Sequence, residues 1–225
     1  MTSHGTFIIS GIERVIVPQL ARSYGVFFTA SEVKGRQLFG GKIIPSRGAW
    51  IEIESDAEGV IFMRIDRKRK FAVTTLLRVL GAKDDEAIKK LFAGDKFGLA
   101  SIERTLLKDH GKTVDDAFIE IHKKLRDGDL ATAENAREFV SSIFDTERYD
   151  LSPVGRHRFN KRFGKKMDDK ELKRKMISLD DVVTIISNIA LLNNTPGALP
   201  DDIDHLGSRR VRFVGELFQQ KIRTG

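Results

Sequence analysis

Trp50-Ile-Glu-Ile-Glu-Ser-Asp-Ala-Glu-Gly-Val-Ile-Phe-Met-Arg-Ile65 decides the fold class. Trp50 to Glu54 and Val60 to Ile65 carry apolar residues at a period of two, which places successive side chains on opposite faces of a strand. Asp56-Ala57-Glu58-Gly59 between them supplies turn residues, so the pair reads as an antiparallel hairpin. Toward the N-terminus the same period recurs in Phe7-Ile8-Ile9, Arg14-Val15-Ile16-Val17, Val26-Phe27-Phe28 and Lys42-Ile43-Ile44. Gly11, Gly25, Gly35, Gly40-Gly41 and Gly48 separate these runs, and further hairpins follow because glycine reaches the positive φ that tight turns require.

Beyond Lys70 the period becomes that of helices. Phe71 to Leu80 puts Leu76, Leu77 and Leu80 on one stripe and ends at Gly81, a suitable C′ residue. Asp84 is placed to cap Asp85 to Phe92, Thr113 with Asp116 forms a capping-box pattern for Val114 to Leu125, and Thr132 caps Ala133 to Phe144. Ser152 before Pro153 opens Pro153 to Phe163 with proline at N1, and Ser178 with Asp181 opens Leu179 to Leu192. A last helix is expected from Leu206 to Ile222. Strands first and helices after make the class α+β.

The chain has 225 residues, 40% of them hydrophobic, enough for one large domain or two small ones with a real core. No apolar run approaches the roughly 18 to 20 residues of a bilayer span, and Met1 to Gly5 lack the basic start of a secretion signal, so a cytoplasmic protein without membrane contact is expected. The absence of cysteine removes disulfides, thiolate zinc ligands and thiol nucleophiles together. Lys and Arg exceed Asp and Glu by 39 to 32, and the resulting +7 favours a polyanionic partner.

Catalytic motifs are missing. Gly35 to Lys42 approaches a phosphate-binding loop, but its lysine falls one place late and is followed by Ile43, so a hairpin turn is the better reading. The histidines, at 4, 110, 122, 157 and 205, form no metal-binding spacing. Asp201-Asp202-Ile203-Asp204-His205 is the one dense acidic cluster. It is open to two readings, a divalent-metal site using Asp202 and Asp204 or acids that favour the N-terminus of the final helix and pair with Arg209, Arg210 and Arg212. The second is preferred, and neither metal nor catalytic residues are expected.

Arg64-Ile-Asp-Arg-Lys-Arg-Lys70 gathers five positive charges in seven residues at the end of the strand region, a candidate phosphate-contacting run or a solvated strand end. Ser208-Arg209-Arg210-Val211-Arg212 is a second such run, expected at a helix opening. The basic stretch Lys161 to Lys175 reads as solvated surface. Trp50, the only tryptophan, follows the turn Pro45-Ser-Arg-Gly-Ala49 at the start of a strand, where it can be core or a platform for an unpaired base.

The same residues carry a resemblance to the bacterial RNA polymerase β subunit, ordered along nearly the whole chain. The blocks begin with Gly5-Thr-Phe-Ile-Ile-Ser-Gly-Ile-Glu-Arg-Val-Ile-Val-Pro-Gln-Leu20, Arg22-Ser-Tyr-Gly-Val-Phe-Phe28 and Ile43-Ile-Pro-Ser-Arg-Gly-Ala-Trp50. They continue with Arg64 to Lys70 leading to Leu76-Leu-Arg-Val-Leu-Gly81, then Arg148-Tyr-Asp-Leu-Ser-Pro-Val-Gly-Arg156, and finally Asp201-Asp-Ile-Asp-His-Leu-Gly-Ser-Arg-Arg-Val-Arg212 with Val214-Gly-Glu-Leu217. Tyr24, Pro18, Ser46 and Ser208 depart from the residues usual in the family.

The resemblance implies a protrusion-domain segment over 1–20, a compact lobe (β domain 2) over 21–200, and a return into the protrusion over 201–225. It implies that lobe and protrusion wall one side of the DNA cleft and that a pocket for unpaired non-template bases uses Arg22, Trp50, Ile203, Asp204 and Arg209. In that arrangement Trp50 resembles the stacking residue and Asp204 the acceptor that reads a guanine edge, while Arg67, Arg69 and Arg212 are phosphate or structural contacts. The implied partners are DNA, the polymerase subunits β′, α and ω, sigma factor and transcription factors docking on the lobe, with a cytoplasmic, nucleoid-associated location. The Mg2+ of nucleotidyl transfer belongs to another subunit, so this segment is expected to hold no cofactor. The alternative is a stand-alone basic nucleic-acid-binding module derived from the lobe, and the reading frame beyond Met1 and Gly225 distinguishes the two.

Overall fold

The computed structural model describes residues 1–126 and 132–224. Strands β1 (Phe7–Ile9), β2 (Ile12–Arg14) and β3 (Gln19–Arg22) precede β4 (Gly25–Val33), β5 (Arg36–Ile44), β6 (Ile51–Ser55), β7 (Ile61–Ile65) and β8 (Phe71–Ala72). Helices α1 (Val73–Val79), α2 (Asp85–Leu91), α3 (Lys96–Lys108), α4 (Val114–Leu125) and α5 (Ala133–Ile143) come next. They are followed by α6 (Ser152–Arg162), the short α7 (Asp169–Leu172) and α8 (Leu179–Asn193), then β9 (Arg209–Arg212) and α9 (Val214–Thr224). By internal contacts the chain divides into a smaller unit, Met1–Ser23 with Asp202–Gly225, and a larger one, Tyr24–Asp201. The α+β class is as expected.

In the larger unit β4 to β8 form an antiparallel sheet in sequence order, the simplest outcome of successive hairpins. The β4–β5 turn is Lys34-Gly35, both at positive φ and flanked by the Val33↔Arg36 pair, so the near-match to a phosphate loop is indeed a hairpin. Ile51 pairs with Ile65 and Ile53 with Met63, which sets one apolar face. These side chains are buried with Phe28, Ile43, Leu76, Leu77 and Ile102, and α8 adds Val182, Ile185, Ile186 and Ile189 to the same core.

Helix ends follow the short-range signals. Asp84 accepts from Ala87 N–H, Thr132 from Asn135 N–H, and the capping boxes Thr113/Asp116 and Ser178/Asp181 are both closed. At the end of α1, Ala82 N–H bonds to Leu77 O and Gly81 N–H to Arg78 O, the double bond of a Schellman stop with Gly81 at positive φ. Ser152 Oγ accepts from Gly155 N–H, so regular helix starts at Pro153 although the element begins one residue earlier.

One expectation is overturned and others need adjustment. The expected helix from Leu206 is a 3-10 turn (Leu206–Ser208), then strand β9, and only then α9. Arg209 to Arg212 extend because β3 offers a ladder, with Gln19↔Arg212 through Arg22↔Arg209 in register, and that long-range pairing outweighs helical patterning. Strand β2 ends at Arg14 and not at Val17, because its partner β1 begins at Phe7, directly opposite Arg14. Phe71 and Ala72 are strand, paired with Met63 and Phe62, so the helix starts at Val73. Sequence reading omitted α3, capped by Asp95, and the brief α7, capped by Asp168.

The helical layer closes on a buried charge cluster. Arg156 of α6 is fully buried and donates to Asp181 Oδ2 at 2.7 Å and to Met176 O at 2.6 Å. Asp181 also takes Ser178 N–H at 3.0 Å and Arg174 at 3.1 Å. Burial opposes ionisation of Asp181, but Arg156, Ser178 N–H and Arg174 together hold its carboxyl below the usual carboxylate range. Asp181→Ala should therefore cost about 3–5 kcal/mol in urea unfolding, because Arg156 is left buried and uncompensated. A carboxyl whose folded pKa is lowered stabilises above its unfolded value, and that contribution is lost as pH falls through the folded one. The gap between wild type and variant should accordingly be full at neutral pH and narrow in acid below the ordinary Asp range.

Candidate nucleic-acid interface

In the larger unit the turn from Pro45 to Ala49 presents Trp50. Ser46 and Arg47 N–H both donate to Asp150 O, at 2.8 and 3.2 Å, and Asp150 N–H returns a bond to Arg47 O at 2.9 Å. Gly48 follows at φ +105, where a Cβ would lie 2.9 Å from both Arg148 O and Tyr149 Cδ2, so only glycine passes this point without displacement. Two sequence blocks that are distant along the chain, around Gly48 and around Tyr149, thus clasp one another. Trp50 emerges half-buried and outside the core.

Its backbone is held on both sides by one residue. Trp50 N–H donates to Asp66 Oδ1 at 2.9 Å, and Asp66 N–H donates to Trp50 O at 2.8 Å. Asp66 and Arg67 have φ of 50° and 60°, and Lys68 N–H bonds to Ile65 O at 3.0 Å, as in a type I′ turn. The turn carries the Arg67 guanidinium over the indole, 5.5 Å from its centroid. The remainder of the basic run divides its tasks: Arg64 lies 3.6 Å from Glu54, Lys70 stands 4.6 Å over the Phe62 ring, and Lys68 and Arg69 are exposed.

In the smaller unit the β3–β9 register sets Arg22 directly opposite Arg209, and Ser23 N–H extends the ladder to Ser208 O at 2.9 Å. Like charges in that position repel. Asp204 offsets the repulsion: its carboxylate takes Arg209 at 2.5 Å and also feels the charge of Arg22. Asp202 Oδ1 shapes the loop by accepting Asp204 N–H and His205 N–H, each at 3.0 Å, with half-buried Ile203 between them. The Asp204 side chain stays 73% exposed, an ionised acceptor open to solvent.

The smaller unit thus gathers Arg22, Ile203, Asp204 and Arg209 around the β3–β9 pair and its loop, while Trp50, Arg67 and Arg69 belong to the larger unit. Arg212 is engaged by Glu216 at 3.6 Å and by Gln220, and Arg210 grips Glu216 through two bonds of 2.5 and 2.7 Å. The acidic cluster diverges, since Asp201 binds Phe28 N–H at 2.7 Å and Arg162 at 2.5 Å, Asp202 caps its own loop and Asp204 faces Arg209. That geometry does not converge on a cation, and among the described residues no three His, Asp or Glu side chains do. A concavity of about 390 Å³ lined by Arg36, Asp56, Ser101, Arg104 and Asn193 contains none of the expected site residues. Sequence reading missed Asp66 and Asp150; an acid inside a basic run at a turn position was the available signal for Asp66.

The described residues thus form an α+β module with basic turns and an open, ionised carboxylate. Residues 22–212 match the family described as RNA polymerase Rpb2, domain 2, and the chain belongs to that family. It is similar over its whole length to bacterial proteins named DNA-directed RNA polymerase subunit beta: 43% identical over 227 residues in Syntrophomonas wolfei, 42% over 240 in Streptomyces coelicolor and 40% over 242 in Clavibacter michiganensis. In each case all of this chain aligns with 20% of the relative, so it spans about a fifth of their length. Among the described residues no helix is long and apolar enough to cross a membrane.

The hydrogen bond from Arg209 is the main cause, and the charges of Arg209 and Arg22 add to it, in holding the Asp204 carboxyl below the usual carboxylate range. A carbon-13 carboxyl titration should find Asp204 ionised where ordinary Asp residues are already protonating, and Arg209→Gln should return it toward their range.

Proposed function

We propose that this chain is the lobe segment, with adjoining protrusion segments, of a bacterial RNA polymerase β subunit acting in DNA-templated transcription. In this reading it forms part of the wall of the DNA cleft and receives unpaired non-template bases. Arg22, Ile203, Asp204 and Arg209 make up the base-reading part and Trp50 the stacking part, with Arg69 contacting phosphate and Arg212 supporting the strand pair. The remaining β polypeptide, β′, α, ω and sigma are its partners, and the metal of nucleotidyl transfer is held elsewhere.

The observation that carries this reading is Asp204, held ionised beside Arg209 and Arg22 yet exposed. A carboxylate can accept from the two N–H donors on a guanine's Watson–Crick edge once that base leaves the stack. The smaller unit adds further support, because Ile8, Ile12, Val15, Leu20, Val211 and Phe213 are exposed there in a chain whose relatives are about five times longer. Such surface suits a segment continued and covered by neighbouring polypeptide.

Forked DNA with a single unpaired non-template base, varied through the four bases, tests the assignment. Asp204→Ala should lower affinity for the guanine fork by about tenfold, a loss of roughly 1.4 kcal/mol, and leave the other three nearly unchanged. Arg69→Ala should weaken all four alike and flatten the salt dependence. Equal losses for every base after Asp204→Ala would remove the base-reading assignment.

A further inference from the structure

The turn that fixes Trp50 supplies a cation as well as a ring. Arg67 occupies its third position at φ 60°, a conformation that costs a non-glycine residue of order 1–3 kcal/mol. The position is exposed, and glycine would adopt it without strain. What the strained backbone achieves is placement, since it lays the guanidinium over the Trp50 ring. Among the described residues no carboxylate forms an ion pair with Arg67, and Asp66, its neighbour, uses its carboxylate on Trp50 N–H. A cation–π contact at such a site is worth only about 0.5–1 kcal/mol, weak enough to open on binding.

We propose that Arg67 is the second wall of a stacking slot. Its guanidinium rests on Trp50 while the slot is empty and moves to the outer face of an unpaired nucleobase that enters, so the base lies between indole and planar cation. This rests on the reading of Trp50 as a stacking residue and deepens it. The guanidinium is planar, delocalised and weakly hydrated, and it stacks on flat π-systems in a way that an ammonium does not. Unpaired bases are held by aromatic rings and by arginine planes. The two hydrogen bonds between Asp66 and Trp50 tie the turn to the ring's own backbone, so the slot opens through the Arg67 side chain and not by separation of the strands. Every base has a π-face, so the slot grips without choosing and leaves base choice to other residues.

Trp50 is the only tryptophan, so fluorescence excited selectively at tryptophan, and not at Tyr24 or Tyr149, reports this site alone. The 225-residue chain, Arg67→Lys and Arg67→Gly are titrated with short single-stranded oligodeoxyadenylate, with circular dichroism confirming the fold of each. Glycine relieves the backbone strain, which keeps that variant folded, and lysine retains the charge. The expected result is quenching of Trp50 in the wild type and a loss of about tenfold in affinity in both variants, equivalent to roughly 1.4 kcal/mol. If Arg67→Lys binds and quenches like the wild type, Arg67 acts only as a charge and the slot is overturned while the stacking role of Trp50 stands. If the wild type is not quenched at all, the stacking role fails and the slot fails with it.

Discussion

Arg156 and Asp181 are both withdrawn from water, and the helical half of the molecule is arranged around making that tolerable. A buried ion pair gains stability only when the remaining donors and acceptors are also met. Here they are met by backbone: Arg156 reaches the carbonyls of Arg174 and Met176, and Asp181 doubles as the capping-box acid of α8. One carboxylate therefore fixes where α8 begins, how α6 lies against it and the course of the intervening segment. That segment in turn gives Lys175 O to Leu151 N–H, immediately ahead of the start of α6.

From there the constraint passes to the surface. Leu151 follows Asp150, whose backbone clasps Arg47, and the Gly48 turn beyond it delivers Trp50 to its position beside the Asp66–Arg67 turn. From Lys175 O to the Gly48 turn the links are backbone hydrogen bonds and a steric exclusion, and the Asp66 carboxylate adds a side-chain bond at Trp50 N–H, so the placement of the ring derives from the interior. The smaller unit solves its problem by charge compensation, with a loop carboxylate between two arginines on paired strands. Among its described residues no apolar side chain is fully buried, and its Phe7 and Phe218 rings stack 5.9 Å apart.

What could be read in the sequence was whatever acts within a few residues. Thr113 with Asp116 and Ser178 with Asp181 set helix starts because a side chain and a backbone N–H three residues on meet whatever the rest of the fold does. The pairing of Asp204 with Arg209 was open to the same kind of reading. Strand β9 was not, because its partner lies almost the whole chain away and its arginine-rich pattern carries no mark of β3. Helix α3 was overlooked because Gly94 and Gly98 bracket its start, although Asp95 caps it through Phe97 and Gly98 N–H. The site residues came from a family resemblance; the Arg67–Trp50 contact came only from the backbone geometry of one turn, which composition does not encode.

The point at which the chain leaves the larger unit also closes an exposed flank. β4 borders the sheet and, among the described residues, pairs only with β5, so its outer N–H and C=O groups could template the addition of a strand from another molecule. Asp201 occupies that edge at Phe28, taking its N–H with a carboxylate oxygen and giving its own N–H to Phe28 O, while Arg162 caps the acid and covers the ring. The opposite border, β8, is only two residues long. One margin is thus blocked at Phe28 and the other is kept short, and both features work against edge-to-edge pairing with a foreign strand.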